Sequence, residues 1–331
     1  MTAAEIVPSL QVPDAADVAD AARLLEGVAV RTPLVRAPVI ERGKARVFLK
    51  IETLQRTGSF KFRGAYNAIA RIPLERRQGG VVAYSSGNHA QGVAAAAKLA
   101  GLPAVIVMPR DAPALKRERT AALGAEVVLY DRERESREEI GGRIARERGA
   151  TLVPPYDHPH VIAGQGTVGL EICEDLERLG LAPDLVLAPV SGGGLIAGIA
   201  LAVREQHAAA RIVAVEPAGF DDHARSFIAG RRERNAKLSG SICDALLAPT
   251  PGEITFEINR RLVGEAVSVS DEEVRAAMRF AFQELKLVVE PGGAVALAVR
   301  LSGKIEAAGG NVVIVLSGGN VDPATYAAVI R

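Results

Sequence analysis

Tryptophan is absent from this 331-residue chain, and aromatic residues of all kinds make up only 4% of it. That shortage says little about chemistry, but three other absences exclude whole classes of function. Lys+Arg 40 against Asp+Glu 39 leaves a net charge of +1, so no global field recruits nucleic acid or an anionic membrane. No apolar run is long and uniform enough to span a bilayer. The opening MTAAEIVPSLQVPDAADVAD lacks the basic and apolar segments of a secretory signal, and a cytoplasmic location is expected. The 2 cysteines, Cys173 and Cys243, are too few for a disulfide framework and read as small buried hydrophobes. With 48% hydrophobic and 24% charged residues, the composition is that of a globular protein with a large core.

Against that plain background one lysine stands out. Lys61 lies in Ser59-Phe60-Lys61-Phe62-Arg63-Gly64-Ala65, between two phenylalanines that strip water from an ammonium. Desolvation lowers a lysine pKa and makes the amine nucleophilic near neutrality, as a Schiff base with an aldehyde such as pyridoxal phosphate requires. Taken alone, the segment is better read as a helix lysine snorkelling from an apolar face.

Three polar loops accompany it, each between a β-like run and an alanine-rich helical stretch. Ser85-Ser86-Gly87-Asn88-His89 follows Val81–Tyr84, Ser191-Gly192-Gly193-Gly194-Leu195 follows Leu185–Pro189, and Ser317-Gly318-Gly319-Asn320 follows Val312–Leu316. Such loops fall at the carboxyl ends of parallel strands, where open α/β sheets bind ligands. Further strands are expected at Val47–Ile51, Ala104–Met108, Glu126–Tyr130 and Ile212–Glu216, with helices at Gln91–Ala100, Ala114–Leu123 and Glu272–Leu285. The alternation predicts an α/β fold with parallel-rich sheets covered by helices. The charge-dense stretch 131–149, with Ile140 and Ile144 one turn apart, reads as an amphipathic surface helix.

The triglycine loop suits a phosphate, held by backbone N–H groups at a helix N-terminus. Gly192-Gly193-Gly194-Leu195-Ile196-Ala197 also satisfies a dinucleotide fingerprint, with Glu216 ending the next strand. That reading uses neither Lys61 nor the other two loops. Asn88 and its neighbours offer donors for a carboxylate, or a turn that caps the following helix. Glu216 and Asp222, with the Phe220 carbonyl between them, could grip a hard divalent cation. Alternatively, Asp221 or Asp222 caps a helix over Ala224–Ala229. His158, His160, His207 and His223 show no ligand spacing with the cysteines and are read as structural or solvated.

The lysine segment and the three loops, in this order, resemble the serine/threonine dehydratases and serine racemases. These belong to the tryptophan-synthase-β-like group of pyridoxal phosphate enzymes, fold type II. The resemblance runs from Arg31-Thr32-Pro33-Leu34 to Asp322. It implies a discontinuous large domain, 1–76 and 159–331, and a small inserted domain, 77–158, with the reactive centre in a cleft able to close. It places the cofactor on Lys61 beside Phe60, its phosphate on Gly192, Gly193, Gly194 and Leu195, and its ring against Asn88, Glu290 and Ser317. Ser85, Ser86, Asn88 and His89 would take the substrate carboxylate, with Ser86 facing Lys61 as a second acid/base. Glu216, the Phe220 carbonyl and Asp222 would hold Mg2+ or another divalent cation. One departure stands at Ala245, where many relatives carry glycine.

The implied reaction is loss of water from L-threonine, and also L-serine, giving a 2-oxo acid and ammonia. Lys61 serves as the base for the α-proton. Serine racemisation is the alternative, as is 3-hydroxyaspartate dehydration, which needs an added cation in the substrate pocket that the sequence does not locate. A noncatalytic cofactor- or nucleotide-binding protein is the remote one. A homodimer is expected from the resemblance. Little chain follows Asn320, so feedback control through an added domain is not expected.

Overall fold

The computed structural model describes residues 11–331 apart from Ser86, Pro113, Arg132, Glu306 and Ala308. Ten strands follow in chain order: β1 (Leu34–Arg36), β2 (Lys44–Ile51), β3 (Val81–Tyr84), β4 (Ala104–Pro109), β5 (Glu126–Tyr130), β6 (Thr151–Leu152), β7 (Leu185–Pro189), β8 (Arg211–Pro217), β9 (Glu265–Val269) and β10 (Gly309–Leu316). They form a six-stranded sheet ordered β1-β2-β10-β7-β8-β9 and a four-stranded sheet ordered β5-β4-β3-β6. β1 runs antiparallel to β2, and the remaining pairings are parallel.

The central strands are runs of Val, Ile and Leu because helices cover both faces, so no position alternates toward water. Val312–Leu316 and Leu185–Ala188 are buried throughout. All strands of the smaller sheet come from residues 81–152, whereas the larger sheet takes its strands from both sides of that stretch.

The helix Lys61–Ala70 packs against Asn88–Ala100 and Pro159–Glu177. Glycines set how closely they approach: a Cβ on Gly164 would stand 2.6 Å from Gly64 Cα. A bulkier residue there would push the whole lysine-bearing helix outward. In the charge-dense stretch the helix is Arg137–Arg148, opened by Ser136 accepting from Glu139 N, with Ile140 and Ile144 turned inward. Cys173 and Cys243 are both buried, as free thiols. Among the described residues no helix is long and apolar enough to cross a membrane.

Candidate active site

The loops after β3, β7 and β10 converge on one cavity of about 200 Å³. Phe60, Lys61, Ser85, Asn88 and His89 line it. Gly192, Gly193, Gly194, Leu195, Glu290 and Ser317 line it too, with Ser317 O accepting from Phe60 N at 3.1 Å. Of the residues singled out for this centre, Ser86 lies outside the described residues.

Lys61 opens its helix and sends Nζ to the Pro155 carbonyl at 2.7 Å, over the Phe60 ring at 5.1 Å. Burial pulls the ammonium down to about 8, while the charge of Glu290 pushes the other way. A fraction of the amine is therefore free near neutrality, as imine formation needs.

The triglycine loop is built for close approach. Gly193 has φ +101°, and a Cβ there would lie 2.8 Å from Thr255 Oγ1 and Asn259 Nδ2. A Cβ on Gly192 would fall inside the Tyr156 ring. The Gly192 carbonyl accepts from Thr255 Oγ1 at 2.6 Å and from Gly252 N at 3.1 Å, so this oxygen is already engaged. The helix Gly194–Gln206 starts here, and the N–H groups of a first turn have no partner within their own helix. Backbone, a helix N-terminus and no side chains make a cradle that fits a phosphate.

Asn88 does not cap the helix it opens. Its Nδ2 donates to Glu290 Oε1 at 2.5 Å, and its Oδ1 accepts from Asn320 Nδ2 at 2.8 Å. The amide is thereby fixed in one orientation. Burial drives the Glu290 carboxyl up to about 7 against the lowering donor of Asn88. A Cβ on Gly318 would collide with Glu290 Oε1, which accounts for a glycine directly after Ser317. His89 is pushed down to about 3 by burial and then by Lys61, so its ring is neutral. Its Nε2 lies 2.9 Å from the Val153 carbonyl and carries the proton; Nδ1 has no partner. The ring therefore has no donor left for a carboxylate, and the donor His89 can offer is its backbone N–H.

The acidic pair lies outside this cavity, yet touches its wall. Glu216 accepts from His223 N at 2.8 Å and Ala224 N at 3.0 Å, so it caps the helix Asp222–Ala229. The Asp221 side chain makes no cap bond, and Asp222 is already inside the helix; a long-range carboxylate has taken the place of the expected local cap. His223 Nε2 meets the Ser191 carbonyl at 2.8 Å, joining this helix to the glycine loop. Asp222 Oδ1 accepts from Asn235 Nδ2 at 2.6 Å, while its buried Oδ2 has no partner. Burial and then Asp222 push Glu216 up to about 8, and burial pushes Asp222 up to about 6. Among the described residues no group of three His, Cys, Asp or Glu could hold a metal. A cation here would therefore need the Phe220 carbonyl and water as well as the two carboxylates.

Four lining residues were not anticipated from sequence. Arg137 enters the cavity with its guanidinium 5.5 Å from the Tyr84 ring centre. Tyr156, pushed up to about 12 by burial, walls the glycine loop. Lys116 pairs with Asp244 at 2.9 Å at the cavity edge.

A nucleophilic lysine facing an anion cradle at the carboxyl ends of parallel strands defines an enzyme that works through an imine-forming, phosphorylated cofactor. The chain belongs to the family described as pyridoxal-phosphate dependent enzyme, whose model matches residues 25–318. It is 45% identical over 95% of its length to an L-threo-3-hydroxyaspartate ammonia-lyase of Pseudomonas sp, covering 98% of that protein. It is 43% identical over 92% of its length to an L-threonine ammonia-lyase of Thermotoga maritima, covering 75% of it. The structure of maize serine racemase superimposes with a TM-score of 0.89 at 39% identity, over 96% of this chain and 97% of that one. The protein is thus a pyridoxal phosphate enzyme of fold type II, in the ammonia-lyase and racemase group.

Proposed function

We propose that this enzyme eliminates water from a 2-amino-3-hydroxy acid, giving a 2-oxo acid and ammonia, and that its preferred substrate is L-threo-3-hydroxyaspartate. L-Threonine and L-serine follow as weaker substrates. The observation that carries the choice is Arg137, a cation lining the cavity whose Nε donates to Glu138 at 2.8 Å, leaving its terminal nitrogens for a ligand. Burial works against its charge, and Glu138 and the neighbouring tyrosines outweigh that. A guanidinium can take a second carboxylate through two parallel hydrogen bonds, for which a threonine methyl has no use. A cation in this position is what 3-hydroxyaspartate dehydration calls for, and it supports ranking that substrate ahead of threonine.

Pyridoxal phosphate, when bound, supplies the electron sink for α-proton loss. Lys61 holds it and then takes the α-proton at Nζ. Backbone amides of Gly192, Gly193, Gly194 and Leu195 hold the phosphate, Asn88 the ring's 3-hydroxyl and Ser317 the ring nitrogen. Ser85, Asn88 and the His89 backbone N–H orient the α-carboxylate. Residues 77–158 act as the small domain that carries this loop. Racemisation is the competing outcome on the same residues, and D-serine formation measured beside pyruvate separates the two.

The test is oxo-acid release from a panel of hydroxylated amino acids. Arg137→Gln is expected to lower kcat/KM for L-threo-3-hydroxyaspartate about 10- to 100-fold, the worth of one charge-assisted hydrogen-bond pair. The value for threonine should stay within about threefold. Equal losses on both substrates would remove Arg137 from substrate recognition.

Glu216, the Phe220 carbonyl and Asp222 are proposed to hold a divalent cation, on the strength of the orphaned Asp222 Oδ2 and the two raised carboxylates. Both carboxyls keep protons when folded that they lose when unfolded, so stability falls as pH rises through about 6 and on toward about 8. A cation replaces those protons and binds more tightly as they leave. The gain in Tm on adding Mg2+ should therefore be larger at pH 8 than at pH 6, and Asp222→Asn should abolish it.

A further inference from the structure

The peptide shared by Gly192 and Gly193 is free to turn either way. Glycine accepts positive and negative φ alike, and Gly193 stands at φ +101°. In a planar trans peptide the C=O of one residue and the N–H of the next point in opposite directions. One orientation therefore turns the Gly193 N–H to the cavity. The other presents the Gly192 carbonyl there, a partial negative charge facing an anion. Two glycines in a row do not choose between these orientations, so the choice falls to whatever packs behind them.

The helix Glu253–Leu262 packs there. Thr255, in its first turn and fully buried, donates from Oγ1 to the Gly192 carbonyl at 2.6 Å. Gly252 N, at the start of the same helix, donates to that oxygen at 3.1 Å. Gly192 and Gly193 line the cavity, so a carbonyl drawn back toward this helix leaves the Gly193 N–H facing forward. The next peptide needs less help. The Gly193 carbonyl accepts from Ala197 N at 3.0 Å, the first bond of the helix Gly194–Gln206, and Asn259 Nδ2 adds a long contact at 3.4 Å. Gly192 precedes that helix and relies on Thr255 and Gly252.

Thr255 is itself held in place. Asp157 Oδ2 accepts from Glu253 N at 2.8 Å, and its Oδ1 accepts from Ile254 N at 2.9 Å and Thr255 N at 3.2 Å. Three of the free N–H groups of that first turn are thereby satisfied. The fit is close: a Cβ on Gly252 would stand 2.4 Å from Asp157 Oδ1, and one on Gly193 would stand 2.8 Å from Thr255 Oγ1.

We propose that Thr255 is a positioning residue for the cofactor phosphate, its hydroxyl fixing the Gly192–Gly193 peptide with the N–H toward the anion. This rests on the triglycine loop being the phosphate cradle. Thr255 acts through the backbone and takes no part in proton transfer.

The test separates the phosphate from the rest of the cofactor. Cofactor-free protein is titrated with pyridoxal phosphate and, separately, with pyridoxal, which offers Lys61 the same aldehyde without the phosphate. Thr255→Val keeps the shape and removes the donor. It is expected to weaken pyridoxal phosphate about 5- to 30-fold, the worth of one buried hydrogen bond, while pyridoxal stays within about twofold. Thr255→Ser keeps the hydroxyl and should return to within about threefold of wild type. If the valine variant does not fold, Thr255→Ser against Thr255→Ala makes the same comparison, since both lose the methyl and only alanine loses the donor. A part in stability alone would weaken both ligands alike. That result, or an unchanged preference for the phosphorylated form, would overturn the assignment. Wild-type protein that binds pyridoxal as tightly as pyridoxal phosphate would instead sink the cradle reading itself.

Discussion

Replacement of Lys61 by alanine is expected to abolish oxo-acid release, by about 10⁴-fold or more, with little change in the stability of the fold. Two effects add. The variant loses the covalent tether for the cofactor and also the base for the α-proton, and general base catalysis alone accounts for about 10²- to 10⁴-fold. The fold should tolerate the change, because Lys61 contributes one hydrogen bond to a backbone carbonyl, opens its helix and lines the cavity. Its removal also relieves a buried ammonium whose charged form is already disfavoured. Borohydride reduction of the cofactor-loaded wild type should leave a stable label on position 61, located by mass spectrometry of peptides, and the alanine variant should take up none. Retention of turnover in the variant, or labelling elsewhere, would displace Lys61 from the centre of the mechanism.

The layout of the larger sheet was legible because its central strands are continuous β-branched runs. The limits of β3, β5 and β7 agree residue for residue with those read from sequence. β2 and β10 begin three residues earlier than expected, where Lys44-Ala45-Arg46 and Gly309-Gly310-Asn311 join the ladder with a single alanine as apolar signal. β1 and β6 have 3 and 2 residues, too short to show a period. β9 was missed because it pairs with β8 alone, and four of its five residues are only half-buried. The glycine loops and Lys61 were legible as motifs, since each needs particular residue types at fixed spacing.

Arg137 and Lys116 were not legible, for a physical reason. Both lie in segments crowded with exposed arginines and glutamates, where one more cation carries no distinguishing pattern. Arg137 begins its helix one position after the Ser136 cap, and only the packing of Ile140 and Ile144 beneath turns that end toward the cavity. The capping of the helix Asp222–Ala229 by Glu216 was hidden likewise, because the acceptor comes from the preceding strand β8. Long-range geometry, not local composition, decides all three.

Arg63→Met is expected to be the most destabilising of these changes, although position 63 does not line the cavity. Arg63 is 1% exposed and donates to Glu52 at 2.8 and 2.9 Å, to Glu171 at 2.7 and 2.9 Å and to Thr167 at 3.1 Å. Lys50, fully buried, donates to the same Glu171 at 2.6 Å and to the Thr32 carbonyl, while the Thr32 hydroxyl donates to Glu52. Two cations and two anions thus balance where β2, the turn after it, the lysine-bearing helix and the helix Pro159–Glu177 meet. Burial pushes Glu171 up, but Arg63 and Lys50 together carry it below the usual carboxylate range. Removing Arg63 leaves two buried carboxylates with one lysine, a loss of about 3–5 kcal/mol. For a chain of this size that corresponds to a Tm roughly 4–7 °C lower. Neutralising the orphan in the double variant Arg63→Met, Glu52→Gln should recover part of the loss, because Glu171 keeps Lys50 and a neutral replacement of a whole buried pair costs far less than a broken one. Strictly additive losses in thermal unfolding would show that the four charges act separately. If they act together, the network fixes the helix that presents Lys61, and the single variant should lose cofactor affinity along with stability.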